Sequence, residues 1–207
     1  MARDKSVVKK QPEISGDLGV FGGMFNPPHV GHLAGAQEVC SKLDLSRILF
    51  IPAPRPPHRS APAIAPEHRL EMTRLAVKDN PRFTISELEF NRPGASYTVD
   101  TLQTLTELYP AAQLHLIIGA DELNSFPDWH CHEEILELAQ LVVMTRPGYS
   151  PDPSTTNSQH QPLLVEIPHL DIASRQLRVR ARDQKPLRYL VPETVVNYIR
   201  KEELYRE

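Results

Sequence analysis

Gly22-Gly23-Met24-Phe25-Asn26-Pro27-Pro28-His29-Val30-Gly31-His32 is the stretch whose reading decides the fold. An apolar run, Leu18-Gly19-Val20-Phe21, leads into it, and a helical pattern from Leu33 to Leu43 leaves it. A strand therefore runs into a glycine-proline turn, and His29 and His32 sit where a helix begins. Their spacing is close to one helical turn, so both imidazoles can face the same way. A helix start carries unpaired N–H groups and the positive end of the backbone dipole, which suits anions. Gly22 and Gly23 let the backbone approach a ligand closely. The turn is neither the GxGxxG of dinucleotide binders nor a P-loop, which would need GKS or GKT. A single histidine here would read as a cap or a core residue. Two at this spacing, after Gly-Gly and beside Pro27-Pro28, read as a phosphate holder.

Short apolar runs alternate with helical patterns along the rest of the chain. The strand candidates are Leu18–Gly22, Ile48–Ile51, Phe83–Ser86, Leu114–Ile118, Leu141–Thr145 and Leu163–Ile167, mostly bounded by Gly, Pro or polar clusters. In the first helix Val30, Leu33, Val39, Cys40 and Leu43 suit one buried face. Another runs roughly from Pro66 to Lys78. In a third, Ser96 can cap a stripe of Val99, Leu102, Leu105 and Leu108. The last, Pro192 to Leu204, has Pro in its first turn. This alternation predicts an α/β fold, a single Rossmann-like doubly wound parallel sheet of about six strands with helices on both faces. Residues 1–16 read as a loose tail and 17–207 as the domain; Pro52 to Ala65 and Pro147 to Gln161 read as loops. In the common doubly wound order, ligands bind at the switch point outside the carboxyl ends of strands one and four. The Gly22–His32 turn follows strand one, and Gly119-Ala120-Asp121 follows strand four.

A chain of 207 residues suffices for one α/β domain with a real core. A net charge of −3 argues against a general nucleic-acid binder. No apolar run reaches membrane-spanning length. Met1 to Lys10 is basic but lacks the apolar segment of a signal peptide. Cys40 and Cys131 form no Cys-x-x-Cys pair, which points to reduced thiols and a cytoplasmic setting.

Three more segments carry candidate chemistry. In Asp171-Ile172-Ala173-Ser174-Arg175-Gln176-Leu177-Arg178, Ser174 suits an N-cap and Arg178 lies four residues on, which together would make a second anion clamp. An ordinary surface helix with solvated arginines fits that segment equally well on its own. Asp121, just past a strand, is placed as acids that meet ribose hydroxyls are. Trp129, the only Trp, stands among Pro127, Asp128 and His130, a setting that suits an accessible stacking surface better than a core. His130-Cys131-His132 lacks the further clustered ligands that zinc would need. Arg55-Pro56-Pro57-His58-Arg59 reads by composition as a solvated basic loop.

The constellation resembles the bacterial nicotinate (nicotinamide) mononucleotide adenylyltransferases of the HxGH nucleotidyltransferase superfamily, from about Leu18 to Tyr205. Gly23, Phe25, Pro27, His29, Gly31 and His32 meet the superfamily signature GxFxPxHxGH. More specific are Pro56-Pro57-His58-Arg59, Ser96-Tyr97-Thr98 with Thr101-Leu102, Ile117-Ile118-Gly119-x-Asp121 with Phe126-x-x-Trp129, Arg146-Pro147-Gly148, and Leu204-Tyr205. The chain departs from the family at Ala173, where Ser is usual, and at Arg175, where Thr is; Met24 and Asn26 replace the common Thr and Asp.

The resemblance implies joining of nicotinate mononucleotide and ATP to give nicotinate adenine dinucleotide and pyrophosphate, a step of NAD biosynthesis. By it, Gly22, Gly23, Met24, Phe25, His29, His32, Gly119, Asp121, Ser174 and Arg178 would meet ATP, with His29, His32 and Arg178 acting on its phosphates. His58, Arg59, Tyr97, Thr98 and Trp129 would meet the mononucleotide, Trp129 by stacking. Mg²⁺ would arrive with ATP and need no protein ligand. No nucleic-acid or membrane partner is implied, and monomer and homo-oligomer are both open. So is the choice between acid and amide mononucleotide. Pantetheine-phosphate adenylyltransferase, or a silent nucleotide-binding module on the same fold, are the competing readings.

Overall fold

In the computed structural model of the protein, residues 16–57, 64–145 and 160–206 are described. The six strands are β1 (Leu18–Gly23), β2 (Arg47–Pro52), β3 (Phe83–Ile85), β4 (Leu114–Gly119), β5 (Gln140–Thr145) and β6 (Leu163–Glu166). Each falls within one residue of its expected ends. They form one parallel sheet in the order β3-β2-β1-β4-β5-β6. The chain starts in the middle, builds outward to β3, then returns to lay β4 on the other side of β1. The switch point is thus the gap between the carboxyl ends of β1 and β4.

The strands are apolar on both faces because both are covered. Val20, Leu49, Ile51, Leu116, Ile118 and Val143 face one cluster, which α3 (Thr98–Leu108) and α5 (His132–Leu138) cover with Val99, Leu102, Leu105, Ile135 and Leu136. Their neighbours in the strands, Phe21, Ile48, Phe50, Ile117 and Val142, face the other, under Ala36, Val39 and Cys40 of α1 (Val30–Lys42). The strict alternation of faces is the period-two pleat of a sheet buried on both sides. A third cluster joins Met72 of α2 (Pro66–Val77), Leu177 of α6 (Ser174–Arg182), Val195, Val196 and Ile199 of α7 (Glu193–Lys201), and Leu204 and Tyr205. A short helix, α4 (Ala120–Leu123), follows β4 directly. Among the described residues no helix is long and apolar enough to cross a membrane.

Several local expectations need correction. Ser96 does not cap α3; Tyr97 holds the N-cap position in extended geometry. Ser96 is instead tied to Arg55, whose N–H donates to the Ser96 hydroxyl oxygen. Leu108 is exposed, beyond the end of the buried stripe. Pro192 is the N-cap of α7 and precedes its first turn. The buried face of α1 is centred on Gly35 and Ala36 as well as Val39 and Cys40. A Cβ at Gly35 would stand 2.8 Å from the Met144 sulfur, so the helix lies there close against the sheet. Val30, Leu33 and Leu43 fall on its flanks and are only half-buried. The expected tail lies outside the described residues except for Gly16, as do 58–63 and 147–159 of the two expected loops, and Arg146.

Candidate active site

The turn after β1 ends on His29, which takes the N-cap of α1 with extended backbone. The His29 N–H donates to Nδ1 of His32 at 3.2 Å. A neutral His32 ring that accepts at Nδ1 carries its proton on Nε2, and so keeps a donor. The two rings stack, with centroids 3.6 Å apart and planes 22° from parallel. Gly31 makes room for this: a Cβ there would come within 3.0 Å of His29 Nδ1. Burial lowers the His29 pKa to about 4. Burial, and then the neighbouring His29, hold His32 well below the usual imidazole range. Both rings are therefore neutral at pH 7 before an anion arrives. His29 Nδ1 is buried without a partner.

The same turn holds Phe25 in the left-handed region, at φ 44°. That conformation is costly for an aromatic residue and persists only where surroundings enforce it. Here Phe25 is buried with edge contacts to Phe21 at 5.5 Å and His32 at 5.4 Å, and a tilted contact to Phe50 at 5.7 Å. Gly22 borders the cleft, and a Cβ on it would meet no protein atom within 4 Å.

Ser174 and Arg178, expected as a second anion clamp, are tied to the turn itself. The Ser174 hydroxyl donates to the Pro27 carbonyl at 2.9 Å, and Arg178 Nη1 donates to the Asn26 carbonyl at 2.9 Å. Ser174 is not the N-cap of α6; Ala173 is, and no side chain caps that helix. Tyr205, from the end of the chain, donates its phenol to Asn26 Oδ1 at 2.6 Å. Burial raises the phenol's pKa far above its usual value. Arg69, which the sequence reading did not single out, is fully buried behind the turn.

Across the switch point stands the end of β4. Gly119 is the N-cap of α4, and a Cβ there would fall 2.5 Å from Asp121 Oδ1, so only glycine admits this placing of the carboxylate. Tyr97, Thr98 and Trp129 line the same cleft, Trp129 half-buried on Phe126 with centroids 5.4 Å apart. Tyr97 lies against His130 at 4.4 Å. Glu89 also lines this end and was not foreseen. Its Oε1 accepts from the Thr101 hydroxyl at 2.9 Å, and its Oε2 is buried without a partner. Burial raises the Glu89 pKa, against hydrogen bonds from Thr101 and Ser96. His58 and Arg59 lie outside the described residues. The cleft has a volume of about 2170 Å³. That exceeds the ~300–1,000 Å³ of an ordinary small-molecule pocket and leaves room for two nucleotides.

The donors gathered here are imidazole, guanidinium, hydroxyl and helix N-termini. They suit phosphate oxygens. Among the described residues no group of three or more His, Cys, Asp or Glu could hold a metal ion.

This fold and this site are those of a nucleotidyltransferase: the chain belongs to the cytidylyltransferase-like family, whose model matches residues 20–188. It is 44% identical over 192 residues to the "Probable nicotinate-nucleotide adenylyltransferase" of Thermus thermophilus, covering 91% of this chain and 99% of that one. It is 39% identical over 189 residues to the protein of the same name from Oceanobacillus iheyensis, covering 91% and 96%. The solved Plasmodium falciparum nicotinic acid mononucleotide adenylyltransferase complexed with NaAD shares the fold, with a TM-score of 0.75 over 93% of this chain and 98% of that one, at 20% identity. Within its family the chain is thus an enzyme of the nicotinate-nucleotide adenylyltransferase group.

Proposed function

We propose that the cleft joins nicotinate mononucleotide to ATP, forming nicotinate adenine dinucleotide and releasing pyrophosphate. The observation that carries this is the pairing of two unlike half-sites across the switch point. On one side, the His29–His32 stack, Ser174 and Arg178 converge on the turn after β1. On the other, Tyr97 and Thr98 at the start of α3, with Trp129, form an aromatic pocket. The first suits a triphosphate and the second a planar ring bearing a charge.

The mononucleotide phosphate attacks the ATP α-phosphorus in line, and the α–β oxygen bond breaks as pyrophosphate leaves. A phosphate monoester is already ionised at neutral pH, so no general base is needed. What remains is alignment of two polyanions and stabilisation of charge on the transferring group. His32 stands ready with a neutral Nε2–H donor, and an arriving phosphate favours the charged form of either imidazole. Arg178 keeps guanidinium donors beyond the Nη1 bonded to Asn26. Gly22, Gly23, Met24 and Phe25 offer the turn backbone to the phosphates, while Gly119 and Asp121 take the adenylate side. Bound with ATP, Mg²⁺ would neutralise phosphate charge, held by phosphates and water. His58 and Arg59, from the loop after β2, complete the mononucleotide side in this reading.

The start of α3 favours the acid over the amide mononucleotide. Tyr97 caps it without a side-chain hydrogen bond, so its first N–H groups are left for a ligand. A pyridine carboxylate there gains from those groups and from the helix dipole, and a neutral amide gains less. Free thiols at Cys40 and Cys131 accord with work in a reducing cytoplasm. A pyrophosphate-release assay with ATP and each mononucleotide in parallel tests the reading. Release with the acid, at least ~10-fold more efficient than with the amide, is expected. No release with either would leave a silent nucleotide-binding module.

A further inference from the structure

Among the described residues, Arg69 is the one arginine with a fully buried side chain, at 0% exposure. Its guanidinium bonds, among the described residues, go to main-chain carbonyls alone. Nη1 donates to Met24 O at 3.0 Å and to Ala53 O at 2.7 Å, and Nη2 donates to Pro54 O at 3.1 Å. Burying a guanidinium is costly, and the packing of α2 alone would be met as well by an apolar side chain. Only a planar fork of donors spans three carbonyls on two separate segments.

Those segments belong to different halves of the cleft. Met24 lies in the turn that carries His29 and His32. Ala53 and Pro54 follow β2 and lead towards the other half. The connection continues through Arg55, whose N–H donates to the Ser96 hydroxyl at 3.2 Å and whose carbonyl accepts from the Ser96 N–H at 2.9 Å. Ser96 directly precedes Tyr97 and Thr98 at the start of α3. One run of hydrogen bonds thus passes from the phosphate turn through Arg69, the 53–55 segment and Ser96 to the aromatic half-site. Arg69 itself does not border the cleft; Met24 and Ala53 stand between it and the ligand space.

We propose that Arg69 is a positioning residue that fixes the two half-sites relative to one another, and so sets the in-line alignment of the substrates rather than the affinity for either. The proposal rests on the transferase reading above. Each half-site keeps its own binding groups without Arg69. The Ala53 N–H bond to the Gly23 carbonyl still joins the two segments; what is lost is the fork that holds Met24, Ala53 and Pro54 at set distances, and with it the fine placement on which the rate of a two-substrate transfer depends steeply.

The test is Arg69→Lys, which keeps the charge but cannot reach three carbonyls. Steady-state turnover is compared with the dissociation constants of ATP and of the mononucleotide, each measured alone by calorimetry. Turnover should fall ~10- to 100-fold while each dissociation constant stays within about threefold of wild type. A folded variant with turnover within about twofold of wild type, or one whose loss is matched by weaker binding of one substrate, overturns the proposal. Should that variant not fold, Arg69→Gln, whose amide can reach only part of the three carbonyls, takes its place in the same assays, and unchanged turnover there overturns the proposal equally. A wild type that forms no dinucleotide sinks both this proposal and the transferase reading. An active wild type with an equally active Arg69→Lys sinks the positioning role alone.

Discussion

Acid should destabilise this protein through its active-site histidine, by an amount that the structure sets. Burial lowers the His29 pKa from 6.5 to about 4. A group whose folded pKa is lowered binds fewer protons folded than unfolded. Its contribution is therefore fully present above pH 6.5 and is lost as pH falls towards 4. The gap corresponds to about 3 kcal/mol in total, of which about 2 kcal/mol should be gone by pH 5. Burial moves His32 in the same direction, so the loss attributed to the pair can only be larger. Glu89 runs the other way: its raised pKa makes stability fall as pH rises through the carboxylate range. The clean measurement is a difference. Urea unfolding of wild type and His29→Asn is followed at pH 5, 6 and 7.5, with Asn chosen because it serves well at an N-cap. Groups common to both proteins cancel. Wild type should lose about 2 kcal/mol more than the variant between pH 7.5 and pH 5. Parallel pH profiles would refute the reasoning, since they would mean that the His29 ring is not a buried, neutral group.

Three substitutions address the cleft itself. Gly31→Ala places a Cβ within 3.0 Å of His29 Nδ1 and should turn that ring out of the stack, lowering turnover ~10-fold or more in a pyrophosphate-release assay while leaving α1 intact by circular dichroism. His32→Ala should lower turnover ~100-fold or more with little change in melting temperature, and near-normal turnover would remove His32 from the chemistry. Trp129→Ala should raise the KM for the mononucleotide and leave that for ATP alone; a change confined to ATP would contradict the stacking role.

The fold was legible because both signals behind it are local. Apolar runs such as Leu49 to Ile51 are too short for helices, and the Gly-Pro turn after β1 marks a strand end. The candidate site was legible where a motif sits on one turn, as at His29 and His32. It was not legible where a side chain acts across the sequence. Ser174 bonds Pro27 across 147 positions and Arg178 bonds Asn26 across 152. Nothing in their own neighbourhood indicates those acceptors. Arg69 did leave a trace: it shares the α2 face with Met72, Thr73 and Val77, all buried, and a charge on an apolar stripe calls for partners. Glu89 left none, because it stands outside any periodic element.

The departures at Ala173 and Arg175 leave the contacts between α6 and the turn after β1 in place. In the structure the bonds from α6 to the turn after β1 are made by Ser174 and Arg178, both retained, while Ala173, at the N-cap, lines the cleft together with Arg175. More telling is what the donors around the turn share. Arg69, Arg178, Ser174 and Tyr205 all bond oxygen atoms of residues 24–27. Those oxygens would otherwise present negative ends to a triphosphate. Drawing them back onto fixed donors leaves N–H groups and imidazoles as the polar face of the turn. The turn then presents hydrogen-bond donors before any anion binds, and in the proposed transfer little reorganisation is left. In the proposed transfer, which needs no proton abstraction, such preorganisation would be the main lever, and three of these four side chains accordingly bond the turn's own backbone carbonyls.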